Sequence, residues 1–289
     1  MPTLVLAFLG ATGDCAGYCL AAALQSGHYT CRALARTPSK LIASMKAKGL
    51  SDADLKRLTI IEGNAKDISA VKTLLITKPS RSSKSSSPRP TARSHSSSSS
   101  IGRSSYVLDG ECAVDAIVFG IGSTPKLQWS WLPITVRDPR VCETAMSVLL
   151  QALGELLVSG QPKPDVVAVS TTGVSSGPRD VPWLYYAAYH WFLHIPHVDK
   201  RAMEDLLWAE TKRRRSERAT KGFVIVRPTI LSSGEAGVEK VRWGGEGSPV
   251  LGYTVGRKDV GEWIFEKVVQ GDEDEKVVVG RDVAVTLAY

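Results

Sequence analysis

The residues near the start of the chain have the types and spacing of a phosphate-binding turn. An apolar segment, 3–9, runs directly into Gly10-Ala11-Thr12-Gly13-Asp14-Cys15-Ala16-Gly17, and a helical pattern follows. Backbone N–H groups at the start of a helix bind a pyrophosphate, and glycines are needed there because side chains would block the approach. The glycine spacing alone is a weak signal, but its place between a strand and a helix strengthens it. We therefore expect a nucleotide site that includes Gly10, Ala11, Thr12, Gly13 and Gly17.

Charged residues near this turn bear on which nucleotide it would bind. Asp14 belongs to the turn, where a carboxylate is unfavourable beside a pyrophosphate unless it points away or caps the helix. An NAD site usually has an acid at the end of the second strand, whereas this chain has Arg32, Arg36 and Lys40 there. Arg36 lies just past the strand, where a guanidinium would bind a 2′-phosphate, although these bases could equally be solvated surface charges. The pattern favours NADP(H) as the cofactor.

Alternating strand and helix patterns indicate the fold that must position this turn. Strands are predicted at 3–9, 29–35, 58–62, 114–119, 166–170, 223–227, 277–279 and 283–287, and helices at 17–26, 41–48, 68–76, 139–159, 198–217 and 259–269. Such alternation is typical of a parallel sheet with crossover helices. We predict an α/β fold, a Rossmann-type doubly wound parallel sheet in a single domain of residues 1–289. A small C-terminal region would cover the substrate.

One segment, 78–106, interrupts the alternation. It is rich in Ser, Arg, Lys and Pro and includes five consecutive serines, so it holds too little apolar surface to offset the entropy of ordering. We predict a disordered surface insert. Six lysines and arginines and no acid lie between residues 78 and 105, and they account for six of the seven net positive charges. The rest of the chain is close to neutral in net charge, which argues against a nucleic-acid partner.

The cysteines and the apolar segments exclude other classes of protein. Five cysteines with irregular spacing and no CxxC form neither a disulfide framework nor a zinc pattern. Cys15 and Cys19, four apart on the first predicted helix, are expected to be small buried residues. No apolar run approaches the roughly 20 residues of a membrane span, and segment 3–9 is too short for a signal peptide. We expect a cytoplasmic protein with no metal and no membrane partner.

An ordered set of motifs resembles the atypical short-chain dehydrogenase/reductase superfamily. The likeness is greatest to its NmrA-like and NAD(P)H-binding members, and looser to flavin reductases of the biliverdin reductase B type. It covers almost the whole chain outside the insert. The matching segments are Gly10-Ala11-Thr12-Gly13, Arg36-Thr37-Pro38, Glu62-Gly63-Asn64-Ala65-Lys66-Asp67, Ser170-Thr171-Thr172-Gly173, Asp199-Lys200-Arg201-Ala202-Met203-Glu204 and Val226-Arg227-Pro228-Thr229.

This resemblance implies which part of a bound cofactor each motif would meet. The implied contacts are Asn64 and Asp67 with the adenine, Gly120 and Gly122 with the ribose and pyrophosphate, Ser170 and Thr171 with the nicotinamide, and Lys200 with the nicotinamide ribose. Arg227-Pro228-Thr229 would carry the chain over the nicotinamide towards the substrate.

The proton donor is the least determined part of the predicted site. Many members of the superfamily use a Tyr-x-x-x-Lys pair, but the residue four before Lys200 is Pro196. His197 would share a helical face with Lys200 if the helix has begun there, and Tyr189 is a further candidate, with Tyr185 and Tyr186 nearby. The acceptor could instead take its proton from water, as a flavin or quinone does, or the protein could bind NADP(H) without turnover.

An aromatic segment, 183–195, precedes Lys200 with the sequence WLYYAAYHWFLHI. We expect it to line a flat aromatic substrate pocket, to form the face of a homodimer, or to be a buried helix. The leading hypothesis is an NADPH-dependent oxidoreductase that delivers hydride to a small aromatic or conjugated acceptor, such as a flavin, quinone or secondary metabolite. The alternative is a non-catalytic NADP(H)-sensing regulator of the NmrA type that binds a protein partner. A third hypothesis is an isomerase or cyclase without net redox chemistry.

Overall fold

The structure, a computed structural model, describes residues 4–76, 114–123, 136–156, 162–271 and 282–289. Two predicted features lie in other parts of the chain. The insert at 78–106 and the short strand at 277–279 lie outside the described residues, so both stay predictions.

A twisted eight-stranded sheet forms the centre of the molecule. Its strand order is β3-β2-β1-β4-β5-β6-β10-β8, and only β8 runs antiparallel to its neighbour, β10. Two further strands, β7 and β9, pair as a small separate parallel sheet. The bounds are Leu4–Leu9 (β1), Tyr29–Ala35 (β2), Leu58–Glu62 (β3), Ala116–Phe119 (β4), Asp165–Val169 (β5), Gly222–Pro228 (β6), Ile230–Ser232 (β7), Arg242–Gly245 (β8), Thr254–Gly256 (β9) and Val283–Ala288 (β10). This arrangement confirms the predicted Rossmann-type fold.

Helices cover both faces of the sheet. Their bounds are Asp14–Gln25 (α1), Pro38–Ala47 (α2), Asp52–Leu55 (α3), Ile68–Leu75 (α4), Val141–Leu156 (α5), Tyr186–Phe192 (α6), His194–Thr211 (α7) and Arg257–Trp263 (α8), the last continuing as a π-helix over Ile264–Gln270. Helix α7 begins four residues before the predicted position and ends at Thr211, not at 217. The short elements α3, α6, β7, β8 and β9 were not predicted.

Strand β1 shows why the sheet has helices on both faces. Its residues are apolar without alternation, as expected of a parallel strand that is buried on both sides. Leu6 and Phe8 pack with α1, α2 and α8 on one face, whereas Ala7 and Leu9 pack with α4, α5 and α7 on the other. The strand therefore ends in a fixed position at the centre of the molecule, where the glycine turn follows it.

The order of the strands creates a crevice beside β1. From β1 the chain builds outwards through β2 and β3, and then returns to place β4 on the opposite side of β1. In open parallel sheets, ligands bind outside the carboxyl ends of the strands at such a reversal. A ligand is therefore expected in the crevice between the turns that follow β1 and β4.

Helix α8 packs closely against the first two turns of α1. A Cβ atom on Gly261 would lie 2.5 Å from the carbonyl oxygen of Cys15 and 2.6 Å from Cβ of Tyr18, so only glycine fits this crossing. Cys15 and Cys19 are buried there, as predicted. Burial raises the pKa of the Cys15 thiol to about 12, so it stays protonated at neutral pH. Within the described part of the chain, no helix is long and apolar enough to cross a membrane.

Candidate cofactor and substrate site

The turns after β1 and β4 touch each other across the crevice. Gly10 has a φ of +84°, and a Cβ atom on it would lie 2.7 Å from the carbonyl carbon and oxygen of Gly120. A Cβ atom on Gly120 would in turn lie 2.4 Å from Cβ of Ala16 in α1. Both positions therefore require glycine, Gly10 for its backbone conformation as well as for space. The result is a crevice walled by bare backbone.

The start of α1 faces this crevice without a side-chain cap. Gly13 is the N-cap residue, and it offers no side chain to the N–H groups of the first turn. Its own N–H donates to the carbonyl oxygen of Gly10 at 2.9 Å, which fixes the turn. Thr12 and Gly13 are exposed, whereas Ala11 and Gly17 are buried, and a Cβ atom on Gly17 would lie 2.8 Å from the carbonyl oxygen of Ala11. Exposed N–H groups at a helix N-terminus suit a pyrophosphate.

Two cations lie beside the carboxylate of Asp14. Its Oδ1 atom is 3.5 Å from Nζ of Lys48, and its Oδ2 atom is 3.7 Å from Nε of Arg257 at the start of α8. Lys48 also lies over the ring of Tyr18, 4.6 Å from its centroid. These neighbours offset the negative charge that the sequence places in a phosphate-binding turn. They also link α1 to α2 and α8.

The two arginines at β2 have different environments. Arg32 donates to the carbonyl oxygens of Leu74, Thr73 and Ile76 at 2.6, 2.8 and 2.9 Å. Its guanidinium therefore supplies hydrogen bonds to carbonyl groups at the C-terminus of α4. Arg36 is exposed just beyond β2 and forms no ion pair with any described residue. Of these two arginines, only Arg36 therefore has its guanidinium available to an anionic ligand.

An acid lies closer to Arg36 than the sequence indicates. Strand β3 ends at Glu62, which pairs in register with Ala35 of β2. Neighbouring strands are about 4.8 Å apart, so the carboxylate of Glu62 is at the same edge of the sheet as Arg36. Sequence reasoning missed this neighbour because 26 residues separate the two positions, and only strand pairing brings them together.

The turn that follows β3 is held by its own side chains. Asn64 Oδ1 accepts from the N–H of Lys66 at 3.1 Å, and Asp67 caps α4 by accepting from the N–H and hydroxyl of Ser69 at 2.9 and 2.8 Å. These bonds from Ser69 lower the pKa of the Asp67 carboxyl. Contact of Asn64 and Asp67 with an adenine stays a prediction, and Asp67 has a structural role as the cap of α4.

Lys200 spans the ends of two central strands. Its Nζ atom donates to the carbonyl oxygen of Ile121, just beyond β4, at 2.8 Å, and to that of Val169, the last residue of β5, at 2.7 Å. An ammonium group has three N–H donors, so one remains for a ligand. The residue before it, Asp199, accepts from the N–H groups of Cys142 and Glu143 at 3.0 and 2.9 Å and so joins α7 to the start of α5.

The remaining predicted cofactor residues surround Lys200. Ser170 follows Val169, and its hydroxyl is buried without a hydrogen-bond partner among the described residues. Thr171 is half-buried beside it. A Cβ atom on Gly122 would meet no described residue within 4 Å. A buried hydroxyl without a partner beside an open crevice fits a site whose ligand completes the hydrogen bonding.

Of the two further candidates for the proton donor, the structure describes the side chain of His197 alone. Helix α7 begins at His194, so His197 does lie on the same helix as Lys200, but both of its ring nitrogens are shielded from solvent. Tyr189 lies in α6, and its side chain is outside the described part of the structure. The catalytic roles of His197, Tyr189 and Lys200 therefore stay predictions.

Most of the described side chains of the aromatic segment, 183–195, are exposed. Trp183 is 79% exposed and Trp191 is 54% exposed, so the expectation of a buried helix is wrong. The ring of Tyr185 packs edge-to-face on Tyr253, with centroids 5.4 Å apart. These tyrosines border a narrow pocket beyond the ends of β5 and β6, whose other lining residues are Thr172, Val181, Pro182, Thr229, Ile230 and Gly252. No sequence pattern pointed to Tyr253, because its link to Tyr185 is a tertiary contact.

Comparison with known proteins connects this geometry to a family. No protein-family model matches the sequence. The chain is 36% identical over 288 residues to the reductase pytE of Aspergillus terreus, covering 97% of each chain. It is 36% identical over 287 residues to the oxidase pynE of Aspergillus niger, covering 91% of this chain and 92% of the relative.

Solved structures agree on the fold. A short-chain dehydrogenase/reductase from Veillonella parvula DSM 2008 superposes with a TM-score of 0.61 at 14% identity, over 99% of this chain and 94% of that one. At this identity the match concerns the fold alone. The chain therefore belongs to the same family as the reductase pytE and the oxidase pynE, and it is an oxidoreductase with a Rossmann-type fold.

Proposed function

We propose that this protein is an NADPH-dependent oxidoreductase that transfers hydride to a small aromatic or conjugated acceptor, such as a flavin, a quinone or a secondary metabolite. The observation that carries the choice of NADPH is the exposed Arg36, which has no ion pair in the described part of the chain. A guanidinium can bind a phosphate through two hydrogen bonds, and Arg36 follows the strand where the 2′-phosphate would lie.

The described residues fit the rest of the dinucleotide. Gly10 and Gly13 would hold the pyrophosphate at the start of α1, since the N-cap residue Gly13 brings no side chain to the N–H groups of the first turn. The third N–H of Lys200 would donate to a ribose hydroxyl, and the buried hydroxyl of Ser170 would bond the nicotinamide. When bound, the nicotinamide supplies the hydride, and the protein orients it and excludes water.

The arrangement of titratable groups suits an acceptor that needs no acid from the protein. The ring nitrogens of His197 are shielded from solvent. Quinones and flavins take their proton from water after hydride transfer, so this chemistry requires only orientation and a dry pocket. One of the two relatives is named a reductase, which agrees with hydride transfer from NADPH to an acceptor.

Two measurements on the wild-type protein test the proposal. Titration with NADPH and with NADH, followed by calorimetry, should give tighter binding of NADPH. Oxidation of NADPH, followed by its absorbance with a panel of quinones and flavins, should then show steady turnover. Equal or weaker binding of NADPH would contradict the choice of cofactor.

The second candidate is a non-catalytic NADP(H) sensor that binds a protein partner. The observation that favours it is Pro196, which stands where many members of the superfamily have the tyrosine of the Tyr-x-x-x-Lys pair. Tight NADPH binding without turnover of any acceptor in the panel would support the sensor over the enzyme.

A further inference from the structure

An arginine of α8 lies beside the start of α1, where the pyrophosphate is proposed to bind. Nε of Arg257 is 3.7 Å from Oδ2 of Asp14, the first residue of α1. Gly261 fits closely against Cys15 and Tyr18, and this contact fixes α8 against the first turns of α1. Arg257 precedes Gly261 by about one helical turn. Helix packing therefore sets the backbone position of Arg257 beside the crevice.

The guanidinium of Arg257 is available to a ligand. Its side chain is 36% exposed, and it forms no hydrogen bond with any described residue, because its distance to Asp14 exceeds hydrogen-bond range. A guanidinium has five N–H donors in a planar fork that matches two oxygens of a phosphate group. These donors are therefore free to bind an anion at the start of α1.

The other cation beside Asp14 has a different environment. The side chain of Lys48 is 9% exposed, its ammonium lies over the ring of Tyr18, and it donates to the hydroxyl of Ser44 at 3.2 Å. Lys48 therefore offsets the charge of Asp14 from between the packed helices. The half-exposed Arg257 remains to meet negative charge in the crevice.

The electrostatics of Cys15 agree with this position for Arg257. Burial raises the pKa of the Cys15 thiol to about 12, and the positive charges of Arg257 and Lys200 both act against that rise. Both charges therefore lie near the first turn of α1. Lys200 is the residue proposed to bind the nicotinamide ribose, so a pyrophosphate at the same turn would lie within reach of a second positive charge.

We propose that Arg257 is a cofactor-binding residue that donates hydrogen bonds to the pyrophosphate of the bound nicotinamide dinucleotide. Asp14 holds the guanidinium at the crevice, and Arg257 in turn offsets the repulsion between the Asp14 carboxylate and the phosphates. This assignment rests on the proposed function, because it needs a dinucleotide in the crevice. It adds a phosphate ligand from α8, a helix far along the chain from the glycine turn.

Calorimetric titration with NADPH and with NADH tests the contact, because both nucleotides carry the pyrophosphate. Arg257→Met removes the charge and the donors, so we expect both affinities to fall by the same factor, at least about 10-fold. Arg257→Lys keeps the charge without the planar fork, so its affinities should lie between those of Arg257→Met and the wild type.

Lys258→Met is the matched control for this titration. It removes one positive charge from the next residue of α8, and the side chains of Lys258 and Arg257 are equally exposed. The ammonium of Lys258, however, is paired with Glu235 at 2.8 Å. This control should bind both nucleotides as the wild type does.

Asp14→Asn separates binding of the phosphates from simple neutralisation of the Asp14 carboxylate. If Arg257 acts only by neutralising Asp14, the loss caused by Arg257→Met disappears when it is measured in the Asp14→Asn background. If Arg257 binds the pyrophosphate, a loss of at least about 10-fold persists in that background. Disappearance of the loss there, unchanged affinities of Arg257→Met, or a loss for NADPH alone would overturn the proposal.

Thermal unfolding without nucleotide separates this binding role from the packing of α8. The ion pair of Arg257 with Asp14 is long and half-exposed, so the melting temperature of Arg257→Met should stay within about 3 °C of the wild type. If Arg257→Met is destabilised further, Arg257→Lys decides, because it keeps the charge. Weaker binding of both nucleotides by Arg257→Lys at the wild-type melting temperature supports the contact, and wild-type binding overturns it.

Failure of this contact and failure of the proposed function give different results. If NADPH binds more tightly than NADH and is oxidised, but Arg257→Met changes neither affinity, the contact is wrong and the enzyme stands. If NADH binds as tightly as NADPH, or no acceptor is reduced, while Arg257→Met weakens both nucleotides, the contact stands and the NADPH-dependent function is wrong.

Discussion

Arg227 and Glu204 form a buried ion pair that joins β6 to α7 one helical turn from Lys200. Nη2 of Arg227 lies 2.6 Å from Oε2 of Glu204, and Nε of Arg227 lies 3.1 Å from Oε1. Burial lowers the pKa of Arg227, but the hydrogen bonds and charges of Glu204 and Glu246 together outweigh burial and leave the pKa raised. Because Glu204 follows Lys200 by four residues, the pair holds the helix face that carries Lys200 against the sheet.

Breaking this pair should destabilise the fold strongly. Glu204→Ala leaves the Arg227 guanidinium buried without its main partner, so we expect a loss of about 3–5 kcal/mol in the free energy of unfolding. Denaturation by urea measures it. Asp52→Ala, which removes the exposed pair between Lys46 and Asp52, is the control, with an expected loss below about 1 kcal/mol. Equal losses in the two variants would show that the buried pair has no special role.

Substitution of Lys200 should affect both turnover and stability. Lys200→Met removes the ligand donor and the hydrogen bonds of Lys200 to the carbonyl oxygens of Ile121 and Val169, so we expect kcat/KM for NADPH to fall at least about 100-fold. Lys163→Met is a matched control, since Lys163 also donates to two carbonyl oxygens, those of Arg215 and Ser216, at 3.0 and 2.9 Å. If both variants lose activity in proportion to stability, Lys200 acts only through the fold.

Removal of the Arg36 guanidinium should change the choice of cofactor. A charged hydrogen bond contributes about 1.5–3 kcal/mol, so Arg36→Ala should bind NADPH roughly 10- to 100-fold more weakly. NADH binding should stay the same or improve, because the neighbouring Glu62 can accept from the ribose hydroxyl. Calorimetric titration with both nucleotides measures the effect, and the exposed Arg140→Ala serves as the control. A parallel loss for NADH and NADPH would argue against contact of Arg36 with the 2′-phosphate.

Two glycines of the β4 turn should respond differently to the same added methyl group. Gly120→Ala places a Cβ atom 2.4 Å from Cβ of Ala16 and must push α1 from the sheet, so we expect a loss of about 1–3 kcal/mol in stability. The Cβ atom of Gly122→Ala meets none of the residues that the structure describes within 4 Å, so the stability without cofactor should be unchanged. Thermal unfolding of both variants without cofactor measures this difference in stability. Similar melting temperatures would mean that α1 does not pack as closely as the structure shows.

The cap of α4 should give a small pH dependence of a known sign. Hydrogen bonds from Ser69 lower the pKa of folded Asp67 below the ordinary value of 3.8, so the stabilisation is present above that value and is lost as the pH falls through the folded pKa. Asp67→Asn keeps an accepting oxygen but cannot titrate. The melting temperature of the wild type should therefore exceed that of the variant at neutral pH, and the difference should shrink below about pH 4. A constant difference across this range would exclude the carboxylate as its source.

The sequence by itself determined the features that short segments encode. The apolar run of β1, the glycines after it and the helix that follows were all identified, because strand burial and the N-terminus of a helix depend on residues close together in the chain. The buried strands β5 and β6 were found within two residues for the same reason. The short strands β7, β8 and β9 were missed, since three or four residues give too little periodicity to detect.

Only the tertiary structure decided which of these residues are free to bind a ligand. Arg32 and Arg36 look alike in sequence, yet packing of α4 some 42 residues further along the chain satisfies one guanidinium and leaves the other exposed. Lys200 reaches carbonyl oxygens 79 and 31 residues away, and the Tyr185–Tyr253 contact joins separate segments. The aromatic segment is exposed because nothing in the described structure packs over Trp183. Hydrophobic pattern specifies which segments are buried, but hydrogen-bond partners across the sheet follow from how those segments pack.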